Sequence, residues 1–157
     1  MDTHSLNEIQ KELSTLQPKE ILEICIRLAK HKKESKELLS YLLFEAHNEE
    51  TFIKNIKDTV DFQFSEMNRS NLYLAKKTLR KILRLINKFS RFSGIKQTEA
   101  ELRIYYCNKM KESGIPFQTN KVLYNLFYNQ IKKINSVLSK MHEDLQFDFR
   151  SEMKELN

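Results

Sequence analysis

A stretch of 22 residues from Asn71 to Phe92, NLYLAKKTLRKILRLINKFSRF, constrains the fold more than any other part of the chain. At 100° per residue, its apolar side chains fall on one arc and its basic side chains on the opposite arc. The apolar arc contains Leu72, Ala75, Leu79, Ile82, Leu83, Ile86 and Phe89. The pattern predicts one helix about 33 Å long. Other helices must cover its apolar side, because tertiary packing supplies most of the stability of such a helix.

The rest of the chain is also expected to be helical. It contains only two glycines and two prolines in 157 residues, which is too few to supply the tight turns of a sheet. Apolar residues recur every three to four positions in segments of 12 to 25 residues separated by short polar stretches. We therefore predict an all-α fold of six to seven antiparallel helices, arranged as a helical bundle or a short α-solenoid of stacked helix hairpins. The length favours a single domain over residues 1–157.

Capping signals predict where these helices begin and end. The predicted starts are a capping box at Ser5, the proline at Pro18, Ser35, Ser70 or Asn71, and a capping box at Thr98. Apolar spacing predicts a further helix from about Thr51. The predicted ends include Gly94 and Gly114, where glycine can adopt the left-handed conformation of a helix C-cap. The helix beginning at Thr98 has a wide apolar arc, so we expect it near the middle of the domain.

The last predicted helix carries a nearly heptad stripe, which is typical of helices packed at a shallow angle. The stripe consists of Leu123, Phe127, Ile131, Ile134, Leu138, Met141 and Leu145. The tail, residues 147–157, is expected either to fray or to form a short extra helix.

The positive charge of the chain is concentrated around the long helix. Between Glu66 and Glu99 there are nine Lys and Arg residues and no acidic residue, whereas the rest of the chain has 18 basic and 21 acidic residues. Six of the nine lie opposite the apolar arc and form what we call the basic face: Lys77, Arg80, Lys81, Arg84, Lys88 and Arg91.

The basic face has three functional interpretations and two structural ones. A row of cations at one-turn spacing is typical of surfaces that bind a nucleic-acid backbone, an acidic protein or a membrane surface. In the first structural interpretation, the basic face is only the polar side of a surface helix. In the second, neighbouring carboxylates neutralise the basic face. The candidate carboxylates are Asp58, Asp61 and Glu66 of the preceding helix, and Glu143, Asp144, Asp148, Glu152 and Glu155 of the tail.

Backbone contact is favoured over base readout. A recognition helix places its early residues against base edges, but the early residues here are the apolar Leu72, Leu74 and Ala75. Aromatic residues near the basic face are candidates for stacking on bases. These candidates are Tyr73, Phe92, Tyr105, Tyr106, Tyr124 and Tyr128, of which Tyr128 departs furthest from the apolar stripe of its helix.

The sequence offers no catalytic, cofactor or metal motif. Its two glycines lie far apart, so a glycine-rich phosphate loop is absent. His4, His31, His47 and His142 are scattered, and the last lacks the second histidine of an H-E-x-x-H zinc site. Cys25 and Cys107 are isolated, and their flanking residues are typical of a helix interior, which favours structural buried thiols. Two unpaired thiols and the lack of a membrane span or signal peptide predict a cytoplasmic protein.

Two functional hypotheses follow. In the first, the chain is a non-enzymatic binding module whose basic face contacts a nucleic-acid backbone non-specifically. In the second, it is a scaffold or adaptor that binds an acidic protein or a second copy of itself through the near-heptad stripe of the last helix. Neither hypothesis requires a cofactor, a metal ion or a small-molecule substrate.

Overall fold

The computed structural model describes residues 2–156, without the side chain of Glu155, and in this part of the chain helices are joined by short turns and loops, with no β-strand. Eight α-helices follow one another along it: α1 (Leu6–Thr15), α2 (Pro18–His31), α3 (Lys33–Ser40), α4 (Glu49–Ser65), α5 (Leu72–Ser93), α6 (Lys96–Glu112), α7 (Lys121–Leu138) and α8 (Glu143–Leu156). A π-helical turn, Tyr41–Glu45, follows α3 directly. The prediction of an all-α fold is confirmed. None of the described helices is long and apolar enough to cross a membrane.

The predicted count of six to seven helices is too low. The near-heptad stripe that reads as one helix is interrupted, because α7 ends at Leu138 and the chain turns at residues 139–142 before α8. In this turn the Met141 N–H donates to the Leu138 carbonyl at 2.9 Å. The tail then forms a helix of 14 residues. Met153 and Leu156 are buried, and this burial explains why the tail is ordered as a helix.

Several helix boundaries occur where the capping signals place them. Ser5 and Glu8 form the capping box of α1, Pro18 is the first residue of α2, and Asn71 caps α5. Gly94 and Gly114 both have the positive φ expected of residues that end helices, 67° and 74°.

Two predicted caps are wrong. The N-cap of α3 is Lys32 rather than Ser35, and the N-cap of α6 is Ile95 rather than Thr98. Thr98 lies inside α6 and is buried, and its hydroxyl donates to Glu49 Oε1 at 2.7 Å. A tertiary partner on α4 therefore uses the hydroxyl that the local pattern assigns to capping.

Residue contacts divide the chain into two units, Met1–Phe44 and Glu45–Asn157, which we call unit 1 and unit 2. In unit 2, α6 packs against α4, α5, α7 and α8, so its predicted central position is confirmed. The apolar residues of α7, among them Leu123, Ile131 and Ile134, are buried in this core. Five residues of the near-heptad stripe, from Leu123 to Leu138, are therefore buried within unit 2, whereas Met141 and Leu145 are half-buried.

Unit 1 contains α1, α2 and α3, with α2 packed against α3. No residue of these three helices is buried, and Tyr41 is the only buried residue among residues 2–44. Large apolar side chains remain exposed on α1, on α2 and on the π-helical turn: Leu6, Ile9, Leu22, Ile26, Leu28, Leu42, Leu43 and Phe44.

Candidate functional site

Helix α5 carries the candidate site, and polar caps define both of its ends. At the N-terminus, Asn71 Oδ1 accepts hydrogen bonds from the Tyr73 and Leu74 amides at 3.0 and 3.2 Å. At the C-terminus, the Gly94 amide donates to the Ser90 carbonyl at 2.9 Å. The helix contains 22 residues without a break. Its buried residues include most of the predicted apolar arc: Ala75, Leu79, Ile82, Leu83 and Ile86.

The basic face points away from this buried arc. Lys77, Arg80, Lys81, Arg84 and Arg91 are exposed. Lys88 is half-buried, and its Nζ lies 4.7 Å from the centroid of the Phe89 ring in a cation–π contact. At 100° per residue the six side chains span about 100° of the helix circumference. The helix therefore presents a narrow strip of cations about 21 Å long from Lys77 to Arg91.

Four of these cations have no carboxylate partner among the described residues. Lys77, Arg80, Lys81 and Arg84 form no ion pair with any residue that the structure describes. Lys88 and Arg91 make additional contacts and are not counted with these four. Exposed cations that lack protein partners keep their full charge available to an anion in solution.

Two of the carboxylates proposed to neutralise the basic face, Asp61 and Asp144, have other partners. Asp61 of α4 accepts a hydrogen bond from the Tyr105 hydroxyl at 2.7 Å and forms an ion pair with Lys109 at 3.0 Å, so its partners lie on α6 rather than α5. In the tail, Asp144 lies 3.4 Å from His142. Helix α8 packs against α6 and α7. Glu155 lies outside the side chains that the structure describes.

The Asp61 contacts also determine the titration of their partners. Burial, followed by the hydrogen bond to Asp61, raises the pKa of Tyr105. The same carboxylate raises the pKa of Lys109 through its hydrogen bond. The Lys57 and Lys109 ammonium groups lie 5.1 and 5.3 Å from the centroid of the Tyr105 ring. Together these contacts join α4 to α6 and hold Tyr105, a stacking candidate, within a structural cluster.

A shallow cavity of about 490 Å³ lies along the first half of the basic face. Its lining residues all belong to α5: Tyr73, Lys76, Lys77, Arg80, Leu83, Arg84 and Asn87. Tyr73 is the most exposed of the stacking candidates, whereas Phe92 and Tyr106 are buried. The exposed aromatic ring of Tyr73 therefore lies beside Lys77 and Arg80, where a base could stack next to a bound phosphate.

Arg103 of α6 is bonded to α5 through a side-chain hydrogen bond to Asn87. The sequence patterns described above do not identify this arginine. Only 4% of this arginine is exposed. Its guanidinium donates to Asn87 Oδ1 on α5 at 2.9 Å, to Gln130 Oε1 on α7 at 2.7 Å, and to Glu99 on α6 at 2.6 and 2.9 Å. Asn87 also lines the cavity, so the buried arginine positions one residue of the candidate site.

The local sequence around Arg103 contains a pattern that indicates its burial. Cys107 and Met110, which lie four and seven residues after Arg103, are fully buried core residues on the same side of α6. Glu99 lies four residues before it and is correctly spaced for an ion pair within the helix. An arginine in line with core residues and preceded by a glutamate indicates a buried, paired guanidinium.

The other aromatic candidates form a separate group on α7. The Tyr124 and Tyr128 rings stack with centroids 5.8 Å apart, and Lys132 Nζ lies 4.7 Å from the Tyr128 centroid. Both tyrosines are partly exposed, as expected for Tyr128. The two rings stack on each other, and Tyr128 also makes a cation–π contact with Lys132 of the same helix. Packing at the flank of α7 therefore explains the positions of both tyrosines.

The remaining titratable candidates do not converge on a pocket. Cys107 is buried and Cys25 is half-buried, and both are free thiols. Among the described residues, no three His, Cys, Asp or Glu side chains are grouped as ligands for a metal ion. The arrangement on α5 is suited to binding an extended anion.

Comparison of the chain with protein-family models, with curated proteins and with solved structures finds no match.

Proposed function

We propose that this chain is a non-enzymatic binding module and that the basic face of α5 contacts the sugar-phosphate backbone of a nucleic acid. The observation that carries the proposal is the set of four exposed cations, Lys77, Arg80, Lys81 and Arg84, that have no ion-pair partner among the described residues. Successive cations along the strip lie about one helical turn apart, which is about 5.4 Å along the helix axis. A row of cations at this spacing can neutralise successive phosphates of one strand.

Binding is proposed to be non-specific. The first turn of α5 presents Leu72, Tyr73 and Leu74. Among these side chains, only the Tyr73 hydroxyl can form a hydrogen bond with the edge of a base. The cations lie later in the helix, where they contribute affinity and orientation but no sequence information. In this proposal the antiparallel helical bundle or short solenoid of unit 2 is a rigid support for one long basic helix.

The cellular location belongs to the same proposal. Both cysteines are free, and unpaired thiols suit a reducing compartment. We therefore propose that the protein functions in the cytoplasm, without a cofactor or a small-molecule substrate.

The first experiment measures the affinity of the intact chain for fluorescent single-stranded and duplex oligonucleotides over a range of salt concentrations. If four to six phosphates are contacted, the plot of log K against log salt concentration should have a slope of about −3 to −5. Replacing Lys77, Arg80 and Arg84 by Glu should abolish binding at every salt concentration tested. If the wild-type chain does not bind at about 50 mM salt, the proposal is wrong.

A matched control separates the basic face from net charge. Lys54, Lys140 and Lys154 are exposed lysines of unit 2 outside the basic face, and replacing them by Glu changes the net charge equally. This control variant should retain most of the affinity and nearly the same salt slope. Equal losses in both variants would show that long-range attraction rather than the basic face causes binding.

The alternative function is that of an adaptor for an acidic protein, and the same cations would serve it. A polyglutamate peptide tests this alternative in the same assay. Oligonucleotides should bind more tightly than a peptide of equal charge, because phosphates in a regular strand match the helical spacing of the cations. If only the peptide binds, and the triple Glu variant loses it, the adaptor function replaces the nucleic-acid function.

A further inference from the structure

Unit 1 has too little core to account for its helices. Its 44 residues contain one buried side chain, Tyr41, among those that the structure describes. Segments of this length rarely fold without a disulfide, a metal ion or a partner surface. The exposed side chains of unit 1 include Leu22 at 61%, Ile26 at 44% and Phe44 at 69%. An apolar surface of this kind marks an interaction site more often than an ordinary solvated face.

Helix α2 has a particularly wide apolar arc. At 100° per residue the arc covers about 200°, from Ile24 through Cys25 to Ile26. Ile21, Ile24, Cys25 and Ala29 are half-buried, and α2 packs against α3. Leu22 and Ile26, one turn apart, form an exposed edge of the same arc. A helix with so wide an arc usually has neighbours on two sides, and this edge lacks one.

The charges of unit 1 indicate what covers the edge. Unit 1 has seven acidic and seven basic residues, whereas unit 2 carries the whole net charge of +6. The first half of α2 carries Lys19, Glu20 and Glu23 and is net negative, whereas the second half carries Arg27 and Lys30 and is net positive. A helix whose two halves differ in sign is electrostatically complementary to an antiparallel copy of itself.

We propose that a second copy of this chain covers the exposed edge of α2, so that two α2 helices pair antiparallel in a twofold symmetric dimer. In a pair centred near Ile24 and Cys25, Leu22 of one copy meets Ile26 of the other, and Glu23 meets Arg27. The contact is isologous and closes on itself, so the assembly stops at two chains. A neutral surface with both signs of charge suits this partner better than a nucleic acid, which would favour a uniformly basic surface.

Sedimentation velocity of the intact chain over a range of concentrations tests the proposal. The wild-type chain should sediment as a dimer that dissociates on dilution. Replacing both Leu22 and Ile26 by Lys should give a monomer at every concentration. Phe147 of unit 2 is 76% exposed, and Phe147→Lys is the control that should leave the dimer unchanged. A wild-type chain that is monomeric throughout overturns the proposal.

A charge exchange tests the orientation of the two helices and does not depend on an apolar substitution. Glu23→Arg places two arginines opposite each other at both ends of the symmetric contact and should weaken the dimer about tenfold. Adding Arg27→Glu to the same chain restores opposite charges and should restore dimer affinity. Circular dichroism should show equal helicity in all variants. A double variant that stays as weak as Glu23→Arg excludes the antiparallel pairing.

Chemical cross-linking locates the contact. Cys25 is half-buried on α2, whereas Cys107 is buried in unit 2. A short bismaleimide should therefore join two copies through Cys25. Cross-linking should disappear in Cys25→Ser and persist in Cys107→Ser. Cross-linking that survives Cys25→Ser would place the contact elsewhere and contradict the proposal.

Discussion

The buried thiol of Cys107 makes the stability of unit 2 depend on pH. It lies at the centre of α6 and is fully buried. Burial raises the pKa of its thiol to about 12, from a usual value near 9.0, and the positive charge of Arg103 opposes only part of this effect. The neighbouring Tyr106 is also fully buried, and burial likewise raises the pKa of its hydroxyl.

This thiol should make the folded chain sensitive to alkaline pH. Because the folded pKa lies above the unfolded one, its contribution to stability is complete below about pH 9 and is lost as the pH rises toward 12. In this window the free energy of unfolding should fall by about 1.4 kcal/mol per pH unit from this group alone. Urea unfolding between pH 8 and about pH 11 should therefore show a shallower decline for Cys107→Ala than for wild type. Parallel declines would contradict the assignment.

At the scale of helices, Arg103 joins three elements with one side chain. Its hydrogen bonds reach Asn87 on α5, Gln130 on α7 and Glu99 on its own helix. Gln130 is buried, so removing the guanidinium leaves its amide oxygen without this donor and without access to water. The relative positions of α5, α6 and α7 therefore depend on this network as well as on apolar packing.

Replacing Arg103 by Met should reduce the free energy of unfolding by about 2 to 4 kcal/mol, because the buried Gln130 and the half-buried Glu99 lose their charged partner. Urea denaturation monitored by circular dichroism measures this loss. Arg150→Met is the matched control: Arg150 is exposed on α8 and donates to Gln146 at 3.0 Å. The control should change stability by less than about 0.5 kcal/mol. A loss below about 1 kcal/mol in Arg103→Met would show that the network contributes little.

At the scale of the whole molecule, core and charge are distributed unequally. Unit 2 contains nearly all the buried side chains and the whole net positive charge, and unit 1 is neutral with much apolar surface. The two units are thus suited to different partners. In our proposals, unit 2 binds an anionic polymer and unit 1 binds its own copy. A dimer of this kind would carry two basic faces, and two linked sites bind a long polymer more tightly than one site does.

Hydrogen exchange of the intact chain in dilute solution should reveal this inequality. Amides of α1, α2 and α3 should exchange faster than those of α5 and α6, because few buried contacts oppose their local opening. If α2 pairs with a second copy, its protection should increase with protein concentration while that of α6 stays constant. Uniform protection across both units in dilute solution would show that unit 1 is stabilised in another way.

Local sequence patterns predicted the features that depend on one helix at a time. The span of α5, its cap at Asn71 and its end at Gly94 all follow from neighbours within four residues. The separation of the basic face from the apolar arc follows from the period of the helix. The break between α7 and α8 was missed, because the apolar spacing continues through Met141 and Leu145 across the turn.

The helical class and the composition of the basic face follow from the amino-acid sequence alone, since both arise from hydrogen bonds and side-chain spacing within a single helix. The pairing of Asp61 with α6 and the link from α5 to α7 through Arg103 depend on how the helices pack. The packing also leaves four cations of the basic face without an ion-pair partner among the described residues. It also decided that an edge of α2 is left uncovered. These outcomes depend on contacts between residues far apart in the chain, and helical periodicity carries no information about which helix becomes the neighbour of another.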